Sequence, residues 1–169
     1  DRNRQLEKTE LIGLCRKDME LLSSYYQKEI TAMHIAVRTS LPDNPLFIDG
    51  NAEQLGKTIM SLLNNGMYAI AKKYGKKAYP AEIGLALESK DGQAVIRLYD
   101  NGVGIEQSIL DKIFDPFFTT KTTGEAAGIG LYLSKEIILN HHGQIAVRSE
   151  KDELTEFTIT LPLWEEKSV

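Results

Sequence analysis

The chain has 169 residues, 42% of them apolar and 26% charged, with a formal net charge of −4. That length supports one ordinary domain with a useful core and leaves no room for two well-built ones. The acidic balance and the lack of a basic stripe speak against a nucleic-acid surface. The single cysteine, Cys15, excludes an internal disulfide and reads as a buried or half-buried small hydrophobe, with an intracellular setting as the default. No apolar run approaches a bilayer span or a signal peptide.

The sequence starts in mid-pattern, without a methionine, as an excised fragment does, which leaves room for membrane segments in a parent protein. Residues 1–8 are charged and read as the end of a longer helix or a linker. From Thr9, Leu11, Ile12, Leu14, Met19, Leu21 and Leu22 recur at helical spacing, predicting a helix to about Lys28. Residues 1–28 therefore read as a helical connector and 29–169 as the main domain. Met33, Ile35 and Val37 alternate as a half-buried strand does, Leu41 to Pro45 is a turn, and Leu46 to Asp49 is a short strand. Asn51 is a helix N-cap, and the helix it opens carries Leu55, Ile59, Leu62, Leu63 and Ile70 on one side and runs to about Lys73. The lysines at its end (72, 73, 76 and 77) read as a solvated, dipole-favoured terminus. Ile83–Leu87 and Ala94–Leu98 alternate on either side of Asp91-Gly92, a hairpin signal. Residues 101–128 show little periodicity beyond a short helix at Gln107–Ile113. A helix marked by Leu131, Ile137 and Ile138 follows, ending before Gly143, and then a hairpin of two strands around Lys151-Asp152. The order predicts a two-layer α/β (α+β) sandwich, a mixed sheet with helices on one face.

Three pieces carry chemistry. Asp100-Asn101-Gly102-Val103-Gly104 ends a strand. Its carboxylate can accept from the exocyclic amine of a flat ligand such as adenine, and its glycines let that ligand approach. Alone, the pattern reads at least as well as a tight glycine turn capped by Asp100. Gly128-Ile129-Gly130 opens a helix whose N–H groups suit phosphate, or is an ordinary loop-to-helix junction. Between them, Thr119, Thr120 and Lys121 begin a small-residue run that could close as a lid on phosphate, with at least two of Phe114, Phe117 and Phe118 anchoring it. On the long helix, Asn64 and Asn65 beside Gly66 interrupt an apolar pattern, and an amide oxygen suits magnesium when phosphates complete the shell.

Asn65, Asp100–Gly104, Phe114–Phe118 and Gly128-Ile129-Gly130-Leu131 together resemble the N, G1, F and G2 boxes of the histidine-kinase-type ATPase domain, within the wider GHKL superfamily. The resemblance covers about residues 46–162. It implies the superfamily's (Bergerat-type) α/β sandwich, binding ATP with Mg2+. Asn65 would ligate magnesium. Asp100 would accept from adenine, with Gly102, Gly104 and Ile105 around the base. Gly128, Gly130 and Leu131 would meet phosphates, with Thr119, Thr120 and Lys121 in the lid. Thr158 would support the adenine site and Tyr68 would lie near the nucleotide. The implied activity is transfer of the γ-phosphoryl group to a histidine on a separate helical phosphoacceptor domain upstream, and from there to a response regulator. The implied setting is the cytoplasm, without direct membrane contact by this fragment, under a parent that could be membrane-anchored.

The chain departs from the family in three places: Ser61 where a polar ligand such as Asn often stands, Tyr68 where Lys or Arg is frequent, and Gly66 where alanine is usual. Ser61 also removes the glutamate that hydrolytic members use as a base for water, which favours a kinase over a hydrolase. The remaining alternative is a degenerate nucleotide- or partner-binding module. His34 sits in a strand pattern, and His141 and His142 sit at a helix end where the dipole accounts for them. None follows a phosphoacceptor pattern.

Overall fold

The computed structural model describes residues 6–118 and 131–166. Its elements are β1 (Glu7–Glu10), α1 (Leu11–Tyr25), α2 (Gln27–Ala32), β2 (Ala36–Ser40), β3 (Phe47–Gly50), α3 (Ala52–Lys76), β4 (Glu82–Lys90), β5 (Gln93–Asp100), α4 (Gln107–Leu110), α5 (Tyr132–Asn140), β6 (Gln144–Glu150) and β7 (Leu154–Pro162). Five strands form one sheet in the order β2-β4-β5-β7-β6, with β2 parallel to β4 and every other pair antiparallel. Strands β1 and β3 form a separate antiparallel ribbon. Alternation fixes which face is covered. Ile83, Leu85 and Leu87 of β4, Ile96 and Leu98 of β5, and Phe157, Ile159 and Leu161 of β7 are buried, and α1, α3 and α5 pack over them.

Helix α3 organises the site. The Asn51 side chain caps its first turn by accepting from the Gln54 N–H at 3.0 Å. Leu55, Ile59, Leu62, Leu63, Met67 and Ile70 are buried along it. Each such side chain stabilises the fold by roughly 1.5–3 kcal/mol. The helix ends where Lys77 turns extended, three residues before Pro80. Between β4 and β5, Asp91 and Gly92 both have positive φ (53° and 76°), as a two-residue hairpin turn requires.

The N-terminal expectation is only half met. Glu7 and Lys8, read as helix end or linker, and Thr9 and Glu10, read as the start of the helix, together form strand β1. The helix starts at Leu11 because the Glu10 carboxylate caps it, accepting from the N–H groups of Ile12 and Gly13. Leu11, Ile12, Cys15, Met19 and Leu22 enter the same core as the sheet, so α1 is packed rather than loosely tethered. The helix breaks at Tyr26 into α1 and α2, and β2 begins at Ala36. His34, expected in a strand, instead takes a left-handed turn at φ 50°. Cys15 is fully buried, and its thiol is pushed up to about 12 by burial, with Asp18 and Glu10 adding to it.

Candidate functional site

A cleft of about 350 Å³ opens between α3 and the turn that follows β5. Asn65, Tyr68, Ala69, Lys72 and Lys76 come from α3, and Asp100, Val103, Gly104, Ile105 and Glu106 from the turn. Ile109 of α4, Lys151 and Asp152 of the β6–β7 turn, and Thr155 and Phe157 of β7 close it. The lining mixes apolar and polar groups, the lysines stand on α3 and the β6–β7 turn, and the Asp100 carboxylate is buried within. Lys151 is held by Glu106 at 3.0 Å.

Asp100 is 6% exposed, and its Oδ1 accepts from the Gly102 N–H at 2.9 Å. Burial pushes its carboxyl up to about 7, opposed by the Gly102 N–H and by Lys73. Two glycines make its seat. A Cβ on Gly66 would stand 3.1 Å from Asp100 Oδ2, so the departure to glycine gives the carboxylate room against α3. A Cβ on Gly102 would stand 2.5 Å from the Ala69 carbonyl carbon, so only glycine lets the turn lie directly on the helix backbone. Gly104 has φ 72°, and a Cβ there would strike the Glu150 carbonyl oxygen. The turn is further fixed by the Val103 N–H on the Ala69 carbonyl (3.3 Å) and the Asp152 N–H on the Val103 carbonyl (2.6 Å).

The expected site residues distribute as follows. Asn65, Tyr68, Asp100, Gly104 and Ile105 line the cleft. Gly102 is buried against α3 and shapes the cleft from behind. Leu131 is 1% exposed, in the core, with its N–H on the Ile113 carbonyl at 3.2 Å. Thr119, Thr120, Lys121, Gly128 and Gly130 lie outside the described residues. Thr158 is misplaced. Side chains alternate along β7, and Thr158 falls on the open face of the sheet while Thr155 and Phe157 face the cleft. Thr155, which the sequence reading passed over, pairs with Asp100 across the strands and is 5% exposed. Ser149 Oγ spends its proton on the Leu154 carbonyl, so the Thr155 hydroxyl, 2.8 Å away, donates to it. Ser149 also accepts the Ile105 N–H at 2.8 Å, tying the cleft floor to β6.

Of the paired asparagines, only Asn65 faces the cleft, because Asn64 is turned to the break between α1 and α2 and accepts from the Tyr26 hydroxyl at 2.7 Å. Phe114 and Phe118 pack against the core, whereas Phe117 is fully exposed at φ 67°. His141 corrects the dipole explanation. It is 2% exposed, its Nε2 accepts from the Asn51 N–H at 2.9 Å, and its Nδ1 lies 2.7 Å from the Ile137 carbonyl. That pairing requires a neutral ring with the proton on Nδ1, and burial lowers its pKa accordingly.

The family model described as "Histidine kinase-, DNA gyrase B-, and HSP90-like ATPase" matches residues 50–165. Sporulation kinase D of Bacillus subtilis is 34% identical over 123 residues, which cover 73% of this chain and 22% of that protein. The signal transduction histidine-protein kinase AtoS of Escherichia coli is 39% identical over 122 residues, covering 72% of this chain and 19% of that protein. The chain thus spans about a fifth of the length of these curated relatives. Among solved structures, the nucleotide-free catalytic domain of histidine kinase ThkA superposes with a TM-score of 0.74 at 22% identity, covering 94% of this chain and 96% of that one. That likeness extends the agreement to the fold. The chain belongs to the histidine kinase-, DNA gyrase B- and HSP90-like ATPase family, as an ATP-binding domain of the sensor histidine kinase kind.

Proposed function

We propose that this domain binds ATP in the cleft, with adenine on Asp100 and the phosphates toward Asn65, and donates the γ-phosphoryl group to a histidine on a separate helical domain of its parent protein. The single observation that carries this is the Asp100 carboxylate, buried at the cleft floor and held by one backbone N–H. Such a group is positioned to accept from an exocyclic amine, and Ala69, Val103, Ile105 and Phe157 offer apolar surface to a flat base. Thr155 stands beside Asp100 as a second polar group, a role transferred to it from Thr158.

Magnesium fits the residues present in one way. Asn65 brings a half-buried carboxamide to the cleft, and among the described residues no group of three or more His, Cys, Asp or Glu side chains is placed to hold an ion. The donor set therefore suits an ion that arrives with phosphate oxygens. Bound there, it would neutralise phosphate charge during transfer. Thr119, Thr120, Lys121, Gly128 and Gly130 remain expected phosphate partners, and Asn65 and Lys121 the residues nearest the reaction.

The chain's own histidines are poor acceptors. Both ring nitrogens of His141 are engaged, and neither His34 nor His142 stands in a phosphoacceptor sequence pattern. The acceptor imidazole would come from a separate domain of the parent protein. Its nitrogen would attack the γ-phosphorus as the bond to the ADP oxygen breaks. A solved structure holds ThkA in complex with the response regulator TrrA. By analogy, the parent of this chain would pass its phosphoryl group to a response regulator. We place the domain in the cytoplasm, where ATP is supplied; no helix among the described residues is long and apolar enough to cross a membrane.

The test mixes this domain with γ-labelled ATP, magnesium and the parent's helical phosphoacceptor domain. Acid-labile label on that domain, lost with Asn65→Ala, is the expected result. ATP binding without any transfer would mean a nucleotide-binding module that is not a kinase.

A further inference from the structure

The lysines that close α3 read from sequence as a solvated helix terminus, yet Lys73 is turned inward. Its Nζ donates to the Asp152 carbonyl at 2.6 Å and to the Asn101 carbonyl at 3.3 Å, and it lies 4.4 Å from the centre of the Tyr79 ring. One ammonium thus engages two carbonyls and a ring face, its full set of donors. The two carbonyls belong to the two turns that frame the base end of the cleft. Asn101 directly follows Asp100, and its own side chain is fixed elsewhere, accepting from the Glu82 N–H and donating to the Pro80 carbonyl, both at 2.8 Å. Asp152 sits at φ 64° on the β6–β7 turn, a left-handed position that aspartate accepts more readily than most residues.

We propose that Lys73 is a positioning residue for base recognition: it locks the turn after Asp100 to the β6–β7 turn and presents its positive charge to the Asp100 carboxylate. The inference rests on the nucleotide reading of the cleft. The groups facing Asp100 are Gly66 and Lys73 of α3, Gly102 of its own turn, Tyr79 from the segment before β4, Ile83 of β4 and Thr155 of β7. Lys73 is the cation of this set. The Tyr79 phenol, buried without a hydrogen-bond partner among the described residues, is pushed up to about 12 by burial and by Asp100, and stays neutral throughout the working range. Lys72, Lys76, Lys151 and Asp152 line the same cleft. Of all these, Lys73 is the one whose charge holds the Asp100 carboxyl down against burial.

An aspartate that accepts from an amine does so best ionised, so ATP affinity should fall as pH drops through about 7, where Asp100 titrates. The experiment measures calorimetric affinity for a non-hydrolysable ATP analogue across pH in the wild-type domain, in Lys73→Met and in Lys73→Arg, with folding checked by circular dichroism. Lys73→Met keeps the aliphatic stem and removes charge and donors. Its acid limb should move to higher pH, giving an affinity loss of about tenfold at neutral pH that shrinks toward alkaline pH, where Asp100 is ionised in both proteins. Lys73→Arg should restore most of the loss. A methionine variant with wild-type affinity, or with the same deficit at every pH, overturns the charge-setting role while the nucleotide reading stands. A folded wild-type domain that binds no analogue at any pH overturns the nucleotide reading, and the role of Lys73 with it. Should Lys73→Met fail to fold, Lys73→Gln is read by the same criteria.

Discussion

Two aspartates lie against glycines of the same helix, and they differ in what else surrounds them. Asp18 of α1 lies with its carboxylate oxygens 3.7 and 3.8 Å from where a Cβ of Gly56 would stand, and Asp100 lies with Oδ2 3.1 Å from where a Cβ of Gly66 would stand. Both are buried, and burial raises both, Asp18 to about 6 and Asp100 to about 7. Asp100 has an N–H from Gly102, a lysine that opposes its burial and an opening toward a ligand. Asp18 is sealed between α1 and α3. Its Oδ2 has no partner among the described residues, and its main opposing charge is Lys17. Burying a carboxylate destabilises the fold in both places. A raised pKa therefore marks a candidate site only when the geometry also offers the group something to bind.

The comparison can be broken most directly at the two carboxylates. Asp100→Asn should weaken calorimetric binding of an ATP analogue about 10- to 100-fold, since it replaces a charged acceptor by an amide. Asp18→Asn should leave binding unchanged. Equal losses in both would show that the two sites are coupled through α3 rather than distinct.

The glycine seats come next. Gly102→Ala forces a Cβ to within 2.5 Å of helix backbone, whereas Gly66→Ala meets side-chain atoms of Ile83 and Asp100 at 3.0 and 3.1 Å. The first should destabilise the domain by about 2–3 kcal/mol, and the second by about 1 kcal/mol, in denaturant titrations.

Asp18 then gives a pH-dependent effect of opposite sign. Its folded carboxyl holds a proton more tightly than the ordinary value of 3.8, so its contribution is harmless in acid and becomes destabilising as pH rises through about 6. Asp18→Asn should therefore raise stability by about 1–2 kcal/mol at mildly alkaline pH and by nothing near pH 4. A gain that persists in acid would point to packing instead. The smallest effect separates the faces of β7: Thr155→Ala should cost about a threefold loss in affinity for the analogue, and Thr158→Ala none.

Much of this molecule was legible in one dimension. The alternation of β4, β5 and β7 and the Asp91-Gly92 turn are local signals. So are the Asn51 cap and the periodicity of α3, because strand alternation, helix spacing and cap chemistry each act over a few residues. Asp100, Asn65 and Gly104, which line the cleft, stand in segments that resemble the family's boxes.

What stayed hidden is decided by contacts between distant segments. Residues 7–10 became a strand because β3, some 40 residues on, offered an edge to pair with. Thr155 rather than Thr158 reaches the cleft because strand parity is set by the register of β7 on β5. The burial of His141 depends on the Asn51 N–H ninety residues earlier, and the inward turn of Lys73 on carbonyls 28 and 79 residues away. The sequence by itself determined which elements form and which residue types stand ready for nucleotide chemistry. The tertiary structure decided which carboxylate faces an opening, which lysine is held and which threonine lines the cleft, because charge, burial and hydrogen bonding depend on distances through space.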